Sequence, residues 1–94
     1  MFYVYIIRSL KDGSFYTGMT RDISTRISLH NSYILNKGIT KRKIPWKYFF
    51  ILETDNKRTA LLSENHIKRM KSKAYIENLK KYPEIAQKLI KKYS

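Results

Sequence analysis

The segment FYVYIIRSLKDGSFYTGMT, residues 2–20, constrains the fold more than any other stretch of the chain. β-Branched and aromatic residues fill 2–8 and return at 15–20, and Lys11-Asp12-Gly13-Ser14 between them carries an Asp-Gly pair that favours a tight reversal. The spacing predicts a β-hairpin. With Asp12-Gly13 as a two-residue turn, Lys11 pairs with Ser14, Ser9 with Tyr16, Ile7 with Gly18 and Tyr5 with Thr20. Directly paired residues share a face. Tyr3, Tyr5, Tyr16, Gly18 and Thr20 then lie on one side, and Phe2, Val4, Ile6, Phe15 and Met19 on the other, which reads as the core side. A slip of one residue would reverse Tyr16, so the division depends on register. Strand tyrosines commonly pack with their hydroxyls at the surface. Gly18 among them is less ordinary, because a glycine inside a strand weakens it and marks close approach by a backbone or a ligand.

Further along, Asp22 is the expected N-cap of a helix running to about Asn31, with Ile23, Ile27 and Leu29 as its buried side. Residues 32–45 read as a loop containing Gly38 and the basic run Lys41-Arg42-Lys43, ending at Pro45. Residues 46–53, WKYFFILE, read as a third strand, apolar on both faces and therefore expected at the centre of the sheet. Thr54-Asp55-Asn56 caps a long helix to about Lys71. A break at Ser72 precedes a short helix over about 73–81, and Pro83 opens a final amphipathic helix striped by Ile85, Ala86, Leu89 and Ile90. The order β-β-α-β-α-α-α predicts an α+β fold, a small three-stranded antiparallel sheet flanked by helices. A chain of 94 residues is expected to form one domain over 1–94, with its core in about 2–80 and a C-terminal helix over about 83–93.

Charge narrows the choice of partner. Twenty Lys/Arg against seven Asp/Glu give +13, and a folded domain so charged attracts polyanions. Eight Tyr, four Phe and one Trp could stack on bases, which points to nucleic acid ahead of an anionic membrane surface. The bland alternative is a lysine-rich surface that serves solubility. Cysteine is absent, which excludes disulfides and thiolate metal sites and fits a reducing compartment. There is no apolar run of about 18 residues, so no membrane-spanning helix is expected. The N-terminus opens as a strand rather than with the layout of a signal peptide, and the cytoplasm is the expected location.

Three positions could carry chemistry. Arg26 and His30, four residues apart, stand on one helix face, an arrangement suited to holding and protonating a phosphate, though such pairs are often simply solvated. In the long helix, Ala60, Leu61 and Ile67 trace an apolar stripe, and Glu64 falls within it by the three-and-four spacing. An inward carboxylate needs a partner: a structural cation such as Lys68 one turn on, or a divalent metal.

Together these residues resemble the GIY-YIG nuclease family over about residues 2–80. Tyr3-Val4-Tyr5 stands at the first namesake motif and Tyr16-Thr17-Gly18 at the second. Arg26, eight residues after Gly18, matches the family's helix arginine, His30 the His or Tyr one turn later, and Glu64 the metal-binding glutamate. The layout looks like the standalone bacterial branch, which is similar to the N-terminal nuclease domain of the UvrC excision-repair subunit.

The resemblance implies a metal-dependent endonuclease acting on DNA, structure-selective or directed by a partner protein, and linked to repair or recombination. Branched, nicked and single-stranded regions are the implied substrates. One Mg²⁺ or Mn²⁺ would sit on Glu64 and stabilise the leaving oxygen. Arg26 would neutralise charge on the phosphoryl oxygens, and Tyr5 would help deprotonate water, aided by metal or cations because a free phenol has a pKa near 10. Tyr16 would orient water or phosphate and His30 would relay the proton. Gly18, Thr20, Lys41, Arg42, Lys43, Lys68 and Lys71 are the candidate nucleic-acid contacts. The rival expectation is a basic nucleic-acid-binding module of the same fold with little or no cleavage.

Overall fold

The Asp-Gly reversal forms, but through a longer turn than two residues. In the computed structural model, which describes residues 1–94, β1 (Phe2–Ser9) pairs antiparallel with β2 (Phe15–Thr20), placing Tyr3 opposite Thr20, Tyr5 opposite Gly18 and Ile7 opposite Tyr16. This register is displaced by two residues from the expected one. The loop closes where Ser9 N donates to Ser14 O (2.8 Å) and Gly13 N to Ser9 O (2.9 Å), with Gly13 at φ 77°, a conformation a side chain would strain. The Asp12 carboxylate accepts from Ser14 N and Oγ and fixes the turn. A displacement of two preserves side-chain parity, so the expected division of faces survives.

The remaining elements are α1 (Ile23–His30), a short 3₁₀ turn (Ile39–Lys43) within the expected loop, β3 (Trp46–Thr54), α2 (Lys57–Met70), α3 (Lys73–Lys81) and α4 (Pro83–Tyr93). The three antiparallel strands and four helices follow the expected α+β order. Asp22, Asn56 and Ser72 cap α1, α2 and α3 by accepting from the backbone N–H three residues on. No helix is long and apolar enough to cross a membrane.

Three expectations require correction. The sheet order is β2-β1-β3, so β1 is central and the third strand is an edge. A bulge explains the misreading: Ile7 faces Tyr48 and Ile6 faces Phe50, leaving Phe49 as an extra residue. Trp46 and Tyr48 therefore share a face with Ile7 and Tyr5, whereas Phe50 and Leu52 share the opposite face with Ile6 and Val4. A strand that switches parity midway reads as apolar on both faces. Leu29 is exposed, because the inner line of α1 runs Ile23, Ile27, His30. Leu61 is likewise exposed, since the buried line of α2 is Ala60, Ser63, Ile67. Glu64 borders that line.

Each side of the sheet has its own cluster. On one, Val4, Ile6 and Leu52 pack with Ala60 and Ile67 of α2, Leu79 of α3 and Ala86 and Leu89 of α4, flanked by Phe2, Phe15, Met19 and Phe49. On the other, Tyr5, Ile7, Ile44 and Trp46 pack with Tyr16, Ile23, Ile27 and Tyr48. The second cluster is covered only by the eight residues of α1 and the following loop, and it contains the hydroxyls and ring nitrogens.

Candidate active site

Tyr5 occupies the middle of the central strand, directly opposite Gly18 on β2. Its ring lies across the Gly18 backbone: a Cβ there would stand 2.5 Å from Tyr5 Oη and 2.6 Å from Cζ. Gly18 does mark a close approach, but the approaching group is the Tyr5 ring and not the backbone or ligand expected.

From Tyr5 a line of hydrogen bonds runs away from the sheet. Tyr5 Oη lies 2.8 Å from His30 Nε2, and His30 Nδ1 lies 2.9 Å from Thr40 Oγ1. Asn36 Nδ2 donates to Thr40 Oγ1 (2.8 Å) and to the carbonyl of His30 (2.7 Å). Either tautomer of a neutral His30 keeps this line continuous; the proton position sets only its direction. Edge-on ring packing holds the same groups laterally. Tyr48 lies 5.9 Å from Tyr5, and Tyr16 lies 5.4 Å from His30 and 6.5 Å from Trp46, centroid to centroid. Trp46 Nε1 donates to Thr40 O (2.8 Å), and Asn31 exchanges bonds with the Trp46 backbone, tying α1 to β3.

Burial governs the ionisation of this group. It pushes the Tyr5 hydroxyl well above the usual tyrosine range; the Arg26 guanidinium works against that shift, while Tyr16, Tyr48 and Glu64 add to it. Burial and then Arg26 hold His30 below its ordinary value, so its imidazole is neutral at pH 7. Tyr48 is also raised by burial, and its hydroxyl donates to the Ile23 carbonyl. Arg26 is half-buried, with Nε 3.4 Å from Thr20 Oγ1, and its charge reaches Tyr5, His30 and Tyr48 together.

Glu64 projects from α2 with a side chain only 12% exposed. Its one ionic partner is Lys68, at 3.5 Å from Oε2, on a side chain that is half exposed. A lysine held this loosely in water contributes little and can be displaced. A single covered carboxylate suits a Mg²⁺-like ion, which takes one or two protein carboxylates and completes its shell with phosphate and water. Nowhere do three His, Cys, Asp or Glu side chains gather into an all-protein cage. The donor set therefore fits one divalent ion shared with a substrate.

Of the residues expected at the site, Tyr5, Tyr16, Arg26 and His30 come together, with the charge of Glu64 felt at the Tyr5 hydroxyl. Gly18 and Thr20 are covered and act on Tyr5 and Arg26. The lysines form two separate patches. Lys68 and Lys71 line a groove with Tyr16 and Thr17, joined by Lys73. Lys41 and Arg42 project from the 3₁₀ turn, whereas Lys43 is engaged by Asp12 at 3.2 Å and by Ser14 Oγ. Sequence reasoning missed Asn36, Thr40, Trp46 and Tyr48. A signal for Asn36 existed: its Oδ1 accepts from Gly38 N (2.9 Å), the turn favoured by an Asn two residues before a Gly. Tyr48 and Trp46 needed the β3 register.

The family model for the GIY-YIG catalytic domain matches residues 1–81. UPF0213 proteins are similar to the chain across most of both lengths. One from Clostridium perfringens is 39% identical over 70 residues, 74% of this chain and 73% of that protein. One from Syntrophus aciditrophicus is 33% identical over 82 residues, 87% and 93% of the two chains. One from Bacillus cereus is 32% identical over 79 residues, 82% and 79%. No solved structure matches the chain significantly.

Proposed function

The chain belongs to the GIY-YIG family, a nuclease family, and from that premise we propose that it is a metal-dependent endonuclease hydrolysing DNA phosphodiester bonds. The observation that carries this reading is the Tyr5–His30 hydrogen bond, which couples a phenol to a neutral imidazole beside Arg26. Alone, a buried phenol is a poor base. Paired, Tyr5 Oη takes a proton from water as its own proton moves to His30 Nε2, and His30 Nδ1 retains its hydrogen bond to Thr40. Arg26 favours the anionic oxygen and neutralises the phosphoryl charge. Tyr16, half-buried beside the lysine groove, orients water or phosphate, and Gly18 keeps the Tyr5 ring seated.

Glu64 would hold Mg²⁺ or Mn²⁺, exchanging Lys68 for the ion. When bound, such an ion supplies positive charge to the phosphate and to its leaving oxygen. Lys41, Arg42, Lys68 and Lys71 contact the DNA backbone, with Lys43 joining them if Asp12 releases it. The chain acts in the cytoplasm on branched, nicked or single-stranded DNA in repair or recombination, alone or directed by a partner protein.

The second reading is a basic DNA-binding module of the same fold with little or no cleavage, favoured by the occupied Glu64–Lys68 pair. The two separate when purified protein is incubated with branched, nicked and single-stranded DNA in Mg²⁺, Mn²⁺ or EDTA. Cleavage with metal and none in EDTA is expected. Retardation of every DNA without cleavage in either metal would leave only the module.

A further inference from the structure

The loop after α1 is built inside out. Asn36 and Thr40 are buried, at 6% and 4% exposure, while Ile34 and Ile39 stand 82% and 80% exposed, with Tyr33 and Leu35 beside them also exposed. Folding normally does the reverse, and several large apolar side chains exposed on one short segment mark a contact surface. The loop is also fixed. Asn36 Nδ2 reaches both His30 O and Thr40 Oγ1, Asn36 N donates to Ser32 O (3.0 Å), and Leu35 N donates to Ser32 Oγ (2.9 Å). The outward side chains therefore ride on the same hydrogen bonds that seat His30. They border the site on two sides: Leu35 shares a hollow with Arg26 and Thr20, and Ile39 shares another with Tyr16 and Trp46.

Charge identifies the occupant. Between Asp22 and Glu53 there is no acidic residue, while Arg26, Lys37, Lys41, Arg42, Lys43 and Lys47 lie in that interval. A second copy would bring the same cations, on a chain already at +13, against this surface. A membrane seated on the loop would close off the hollows beside Arg26 and Tyr16. Lys37, Arg42 and Lys43 flank Ile39, and Arg26 lies beside Leu35, with Asp22 the one carboxylate in the hollow of Leu35. Apolar side chains flanked by cations match DNA, where such residues enter between base steps while lysines and arginines hold the phosphates.

We propose that residues 33–39 form a wedge whose exposed apolar side chains, Tyr33, Ile34, Leu35 and Ile39, pack against bases unstacked beside the scissile phosphate, so that the protein selects DNA whose bases are already unpaired or easily unstacked. The placement of the scissile phosphate rests on the nuclease reading; the unstacking does not. At a nick, a branch or a single strand the stacking energy has already been surrendered in part, so entry there is cheaper than in an intact duplex. The selectivity comes from the wedge, whereas the cations bind every DNA alike.

The test places 2-aminopurine, whose fluorescence rises on unstacking, at the nick or branch of a short DNA. Binding is followed in EDTA, so that cleavage plays no part. Wild-type protein is expected to raise the fluorescence on nicked and branched DNA and to leave an intact duplex nearly unchanged. The double variant Ile34→Ser, Ile39→Ser changes only exposed positions. It should abolish the rise and weaken binding to nicked DNA by about tenfold or more, the equivalent of losing the burial of one isoleucine. The slope of affinity against salt, which counts phosphate contacts, should stay as in wild type. An equal fluorescence rise in the variant, or none in wild type on any DNA, would overturn the wedge. So would sedimentation or vesicle flotation showing that the two isoleucines drive self-association or lipid binding while unstacking is unaltered. Unstacking in EDTA without cleavage in Mn²⁺ would count against the nuclease reading alone, and cleavage without unstacking against the wedge alone.

Discussion

The two faces of the sheet are closed by different means. Above Val4, Ile6 and Leu52, three helices contribute Ala60, Ile67, Leu79, Ala86 and Leu89, and the contact is mainly apolar, with Thr59 and Ser63 of α2 the buried hydroxyls beside it. Above Tyr5 and Ile7 there is one eight-residue helix and a loop, and much of the cohesion comes from directional bonds among Tyr5, His30, Thr40, Asn36 and Trp46. Apolar packing tolerates small shifts of side chains, whereas a buried polar line holds its members at fixed angles and is costly if broken. The apolar face therefore sets how firmly the chain folds, and the polar face sets where Tyr5, His30 and Arg26 stand, while Glu64 is carried by α2, a helix of the apolar face.

Substitutions on the two faces should then fail differently, and the largest effect is expected at Tyr5. Tyr5→Phe removes the hydroxyl proposed to pass the proton and should lower turnover by about 10²–10⁴-fold. Stability should fall by only about 1–3 kcal/mol, the cost of leaving His30 without its partner. Single-turnover cleavage beside a denaturant melt measures both, and undiminished turnover would return Tyr5 to a packing role. On the helical face, Leu79→Ala should cost about 2–5 kcal/mol of stability, while the folded fraction cleaves at the wild-type rate. A cleavage defect in fully folded Leu79→Ala protein would break the division between the faces. Asn36→Ala should be milder in stability, about 1–3 kcal/mol, yet should slow cleavage because Thr40 and His30 lose their anchor.

Acidity gives the smallest effect. Burial depresses His30, with Arg26 adding to it, and burial depresses His66, with Lys92 and Arg69 adding to it. Below about pH 6.5, the ordinary value, the unfolded chain binds more protons than the folded one. Stability is thus complete above that pH and is lost as pH falls through the depressed folded values. Melting temperature should decline on acidification, and less steeply in His30→Gln. An equal slope in the variant would assign the effect to His66 or elsewhere.

The hairpin shows why much of this was legible in the sequence. Its register differs by two residues from the simplest turn, yet every face assignment held because side chains alternate with period two. The helices were equally legible, since Asp22, Asn56 and Ser72 are strong caps and Pro83 a strong start. Glu64 could be seen to turn inward from the three-and-four spacing, even though Leu61 does not belong to that line. What stayed hidden depended on contacts between distant segments. The bulge at Phe49 reverses the faces of β3 halfway along, and no local residue type announces it. Leu29 outranks His30 in hydrophobicity, but the site supplies hydrogen bonds to both imidazole nitrogens, so the histidine is buried and the leucine exposed. Asn36 and Thr40 look like ordinary loop residues until Tyr5 is folded against them.

The central claim is that the face built around Tyr5 is a metal-dependent cleavage site, and Glu64 tests it most directly. Glu64→Gln keeps the side chain's shape and removes its charge, leaving behind only a half-exposed Lys68 that water can solvate. Calorimetric titration with Mn²⁺, a melting curve and a cleavage assay on wild type and variant make one measurement set. The expected result is loss of Mn²⁺ binding and of cleavage with a melting temperature that holds or rises, since a covered carboxylate kept for function costs stability. A less stable Gln variant that still bound Mn²⁺ and still cut DNA would contradict it, leaving Glu64 as no more than the partner of Lys68.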